Sequence, residues 1–102
     1  MSDLTLDDAV AALRRAEAAL KARGVRRAAV FGSLSRGVTG PASDVDVLLD
    51  IDPAAITSLF DLGGISYEIE RALGTRDFDI AQRHRLPAEI AAQADRDAIY
   101  AF

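Results

Sequence analysis

Apolar residues over 5–23 recur at helical spacing, with Leu6, Val10, Leu13 and Leu20 on one face and alanines filling the gaps. Thr5 is placed to cap this helix, with Asp8 three residues on in a reduced form of the capping box. Gly24, after Arg23, suits the left-handed position that ends a helix. The pattern then changes. Ala28-Ala29-Val30-Phe31 is short and continuously apolar, as in a buried strand. Gly32-Ser33 stops it, Leu34 to Arg36 reads as the opening of a short helix, and residues 37–43, with Gly37, Gly40 and Pro41, read as a loop. Asp44 to Ile51 is a second strand, closed by Pro53. Residues 57–73 predict a long helix with Leu59, Leu62, Ile65, Ile69 and Leu73 at spacings of three and four, ended by Gly74. Gly63-Gly64 weakens its middle by about 1 kcal/mol per glycine relative to Ala; close packing on the sheet is one reason to keep them. Phe78 to Ala81 reads as a third strand. Pro87 to about Ile99 reads as a final helix whose last apolar side chains are Ile99, Tyr100 and Phe102.

The order helix, strand, short helix, strand, helix, strand, helix predicts an α/β (α+β) fold with a small mixed β-sheet and flanking helices. With 102 residues, no repeats and no linker, residues 1–102 are expected to form a single domain. The charge balance, 12 basic against 16 acidic side chains for a net −4, argues against nucleic-acid binding through overall positive charge. The basic run of Arg14, Arg15, Lys21, Arg23, Arg26 and Arg27 reads as a solvated face. Absence of cysteine excludes a disulfide scaffold and a thiolate zinc site. No apolar run has the length of a membrane span and no signal peptide opens the chain, so the expected compartment is the cytoplasm.

Three groups of residues carry candidate chemistry. Gly32-Ser33 lies where a strand gives way to a helix, a place where backbone N–H groups and the helix dipole favour an anion. It lacks the Lys and spacing of a Walker P-loop and is not a dinucleotide fingerprint. Asp44 and Asp46 stand two apart on a strand, side by side on one face, while Val45, Val47, Leu49 and Ile51 line the other as the core side. Paired carboxylates suit a hard divalent cation such as Mg²⁺; a solvated acidic strand end is the alternative. Asp77 and Asp79 repeat the arrangement, with Phe78 and Ile80 opposite, and periodicity does not choose between them. Taken together, a phosphate-cradling turn, a carboxylate pair and a third carboxylate describe a site for a metal–nucleotide complex.

Gly32-Ser33, ten residues, then Asp44-Val45-Asp46 resembles the G-S-x10-D-x-D pattern of the DNA polymerase β-like nucleotidyltransferase superfamily. Val30 to Gly37 with Ser43 to Val47 resembles more closely the minimal nucleotidyltransferases, or MNT proteins. The likeness continues through Ser58 to Gly64, Leu73-Gly74 and Phe78-Asp79-Ile80-Ala81, and so spans nearly the whole chain. Phe78 and Ala81 depart mildly from the family's residues around the third Asp. The resemblance implies a polymerase β-like palm and two-metal transfer from ATP. Asp44, Asp46 and Asp79 would hold Mg²⁺, with Mn²⁺ as a substitute, and would carry the catalysis. Gly32, Ser33 and Arg36 would hold the triphosphate. It is the resemblance, not the periodicity, that prefers Asp79 over Asp77.

The family likeness further implies an antitoxin paired with a HEPN ribonuclease toxin, transferring AMP to a toxin tyrosine and forming a hetero-oligomer with it, with no membrane or direct nucleic-acid partner. The toxin's own R-x4–6-H motif is absent, because seven residues separate Arg76 from the sole histidine, His84; His84 reads as a loop residue. The short chain is expected to receive its acceptor on another molecule. Two rival readings follow the same residues: an antitoxin that neutralises by binding alone, and transfer to a small-molecule alcohol such as an aminoglycoside.

Overall fold

The structure is a computed structural model, which describes residues 5–31 and 45–102. Helix α1 spans Leu6–Arg15 and opens on a full capping box. The Asp8 N–H donates to Thr5 Oγ1 (3.1 Å) and the Thr5 N–H donates to Asp8 Oδ2 (3.3 Å). The single helix expected over 5–23 is interrupted at Ala16 (φ −89°, ψ 4°), and α2 resumes over Glu17–Ala22. No glycine or proline marks that break, so local propensity does not announce it.

Gly24 takes φ +98°, the left-handed conformation read from the sequence. Its carbonyl accepts the Asp52 N–H (2.9 Å), and a Cβ here would collide with the Ala55 methyl in the 3-10 turn Pro53–Ala55. Gly24→Ala is therefore expected to cost more than about 1 kcal/mol, from the φ penalty and the clash together. Thermal denaturation checks this; an unchanged midpoint would show that the turn relaxes freely.

Strands β1 (Val25–Phe31), β2 (Val45–Ile51), β3 (Phe78–Gln82) and β4 (Ile99–Tyr100) form one sheet in the order β3-β2-β1-β4. β1 runs antiparallel to β2 and β4, and β2 runs parallel to β3, so the sheet is mixed as expected. The fourth strand corrects the sequence reading. The final helix, α4, is shorter (Ala88–Asp97), and Ile99 and Tyr100 leave it to pair with Val30 and Ala29. The chain end is held further by the Ala101 N–H donating to the Ala28 carbonyl (2.8 Å) and by Arg14 Nε donating to the Ala101 carbonyl (3.0 Å).

Alternation along the strands sorts the sheet into two buried faces. On one, Val45, Val47, Leu49 and Ile51 of β2 pack with Ala28 and Val30 of β1, Leu13 and Leu20, and Ile65, Ile69 and Leu73 of helix α3 (Leu59–Leu73). This is the core side that the alternation in β2 predicted. On the other, Ala29, Leu48 and Ala94 meet beneath α4. Gly74 ends α3 at φ +74°, as its position in the sequence implied.

Two expectations for α3 fail. Leu59, the first residue of the helix, is 86% exposed rather than a core residue and lines a cavity beside β3. The paired glycines do not lie against the sheet: Gly64 makes room for the Arg23 guanidinium, and nothing lies within 4 Å of a Cβ built at Gly63. The basic run is largely used within the molecule. Lys21 pairs with Glu17, Arg23 with Glu68 and Arg26 with Asp52, and the Arg27 guanidinium lies 3.8 Å from the Tyr100 ring centroid.

Candidate active site

The sheet face that carries α4 is laid out in three cross-strand rows. At the end where β1 finishes and β2 and β3 begin, Phe31, Asp46 and Asp79 stand opposite one another on adjacent strands. The middle row is Tyr100, Ala29, Leu48 and Ala81. Its small residues let Ala94 of α4 approach the sheet closely. The far row sets Arg27 against Asp50. Beyond it Arg83 grips Asp95 of α4 with two hydrogen bonds, Nε to Oδ1 (3.0 Å) and Nη2 to Oδ2 (2.5 Å). That hydrogen-bonded pairing holds the Asp95 carboxyl below its ordinary range. It raises Arg83, with the Asp95 charge and then Tyr100 and Asp50 adding to the effect. The Arg83–Asp95 pair thus ties α4 to the end of β3 at the far end of the face.

Parallel register places Asp77 and Asp79 differently. Neighbouring strands are about 4.8 Å apart, so residues directly across share a face and adjoin. Asp79 is the residue across from Asp46, and it is exposed. Asp77 precedes β3, where its carbonyl accepts the Val45 N–H (3.2 Å) and its own N–H donates to Thr75 Oγ1 (3.1 Å). The remaining expected site residues, Gly32, Ser33, Arg36 and Asp44, lie outside the described residues, as do the short helix and loop read over 34–43.

The described part of the site suits a hard cation by donor type, since it offers two adjacent carboxylates in a chain without thiols. Among the described residues no three Asp, Glu or His side chains converge on one point. His84 is exposed in a 3-10 turn (Arg83–Arg85), consistent with a loop residue.

Phe31 is the neighbour that sequence reading missed. It was legible only as the end of a buried strand, yet it flanks Asp46 in the carboxylate row and packs against the cluster beneath α4. Being the last apolar residue before Gly32-Ser33 was the available signal. A cavity of about 360 Å³ adjoins the row, lined by Leu59, Leu62 and Gly63 of α3 and by Phe78, Asp79 and Ile80 of β3. No helix among the described residues is long and apolar enough to cross a membrane.

Comparison with known proteins assigns this architecture. The nucleotidyltransferase domain family matches residues 13–94. The protein adenylyltransferase MntA of Thermococcus cleftensis is 35% identical over 101 residues, covering 98% of this chain and 99% of that protein. A solved structure assigned as a minimal nucleotidyltransferase superposes with a TM-score of 0.75 at 32% identity, covering 97% of this chain and 98% of the other. A toxin–antitoxin crystal structure with AMP-PNP shares the fold, with a TM-score of 0.64 at 15% identity over 87% of this chain and 72% of that one. The chain therefore belongs to the nucleotidyltransferase domain family, among its minimal nucleotidyltransferases, and nucleotidyl transfer is its chemistry.

Proposed function

We propose that the protein transfers AMP from ATP to a tyrosine hydroxyl of a partner HEPN toxin in the cytoplasm, and so acts as its antitoxin. One observation carries the reading: Asp46 and Asp79 adjoin across parallel strands in a chain 35% identical, along almost its whole length, to a protein adenylyltransferase. The fold neighbour crystallised as a toxin–antitoxin with AMP-PNP supports the same context.

In this reading the tyrosine oxygen attacks the α-phosphorus of ATP. The bond from that phosphorus to the oxygen bridging the β-phosphate breaks, and pyrophosphate leaves. The hydroxyl proton passes to a carboxylate, for which Asp79 is exposed and in reach of solvent, and then to water. Asp44, Asp46 and Asp79 would hold Mg²⁺, or Mn²⁺ in its place, and the bound ion would lower the pKa of the attacking hydroxyl and offset charge on the departing pyrophosphate. Gly32, Ser33 and Arg36 would hold the triphosphate. Phe31 would buttress Asp46 from the side of β1.

Intact-mass analysis of the toxin after incubation with the protein and Mg-ATP tests this. The expected result is one or more AMP adducts on the toxin, on tyrosine by fragmentation, together with loss of toxicity. Neutralisation without any adduct overturns it in favour of inhibition by binding alone. An adduct on a small alcohol such as an aminoglycoside, and none on protein, overturns it in favour of a small-molecule acceptor.

A further inference from the structure

The cavity beside Asp79 is lined from both faces of β3, since Phe78 and Ile80 belong to the core face and Asp79 to the α4 face. A hollow that meets both faces of a strand runs along that strand's outer edge. β3 is an end strand of the sheet, so every second backbone N–H and C=O on that edge has no strand partner among the described residues. Edge strands are usually protected by lysine, proline or a covering element. Phe78-Asp79-Ile80-Ala81-Gln82 has neither residue. On the α3 side of the groove Leu59 is 86% exposed, and Gly63 leaves open space on the helix surface beside it, while the exposed Phe60 and Tyr67 stand on the same helix outside the groove lining. An exposed apolar side chain and an open helix surface beside a strand edge with no strand partner among the described residues fit the recognition of an extended peptide.

We infer that this groove docks an extended segment of a protein acceptor as an added strand on β3, with an apolar side chain seated over Gly63 between Leu59 and Phe78. The inference rests on the reading that the acceptor is a protein. Asp79 belongs both to the groove and to the carboxylate row, so whatever fills the groove is delivered to the reacting end of the sheet. A second copy of the chain seated there would shut the acceptor out of the space beside Asp79.

The test titrates the isotope-labelled full chain with a tyrosine-centred nonapeptide of alternating apolar and polar residues. A control peptide carries prolines at alternate positions and lacks the N–H groups a strand needs. Amide shifts are expected over 78–82 and 59–67 with the first peptide and not with the second. In Gly63→Leu the added side chain fills the groove, and binding is expected to weaken by about tenfold or more. This variant has open space for its Cβ and gains helix propensity, so its thermal midpoint should not fall. Shifts elsewhere, no saturable binding, or equal affinity in Gly63→Leu overturn the proposal. So does a concentration-dependent dimer that Phe60→Ser dissolves, because the occupant is then a second copy. Adding Mg-ATP separates the two readings. Peptide that docks in the groove but is never modified leaves the docking standing and removes the protein acceptor. Protein modification that is indifferent to Gly63→Leu does the reverse.

Discussion

Asp79→Asn is expected to reduce nucleotidyl transfer by about three orders of magnitude, the scale of losing several kcal/mol of transition-state charge stabilisation. The fold should not suffer. Asn keeps the shape of an exposed side chain, and removing one of two negative charges directly across from each other relieves a small repulsion. Asp77→Asn, at the position that register sets outside the row, should lie within a few-fold of the parent. Rates of AMP incorporation, measured beside thermal melts for both variants, decide the matter. An Asp79→Asn enzyme within about tenfold of the parent, or an Asp77→Asn enzyme as damaged as Asp79→Asn, would remove Asp79 from the reaction.

Ile69→Ala should give a large loss of stability, as should the same change at the equally buried Ile65. Ile69 is fully buried between α3, α1 and the sheet, where truncation removes apolar contact and leaves a cavity. Such changes cost roughly 2–5 kcal/mol, against typical domain stabilities of about 5–15 kcal/mol. For a chain of this size that corresponds to a drop of about 10 °C or more in midpoint. Phe60→Ser, on the same helix but exposed, should stay within about 0.5 kcal/mol of the parent. Urea titrations of the pair measure both. Equal losses would mean that α3 does not pack by its Ile65–Ile69–Leu73 face.

These cases show where the sequence was readable. Features that depend on neighbours along the chain were legible: the Thr5–Asp8 cap, the left-handed Gly24 and Gly74, and the apolar face of β2. Features set by distant partners were not. Helical spacing continued through Leu59 and Ile99, but the first is exposed and the second pairs with Val30. Gly63-Gly64 suggested packing on the sheet; one glycine accommodates Arg23 and the other opens the groove. For the site, residue types and spacing nominated the carboxylates. The family resemblance preferred Asp79 over Asp77; the pairing of Asp79 with Asp46, and of Phe31 with Asp46, was not legible, because register joins residues tens of positions apart.

The two described carboxylates stand on unequal foundations. Asp46 sits on a central strand held on both sides, whereas Asp79 sits on an end strand held on one. Backbone hydrogen bonds at a sheet's margin open at lower free energy than those at its centre. On that principle the separation of the two carboxylates is expected to vary more through β3 than through β2, a difference that amide hydrogen exchange over 45–51 and 78–82 would read.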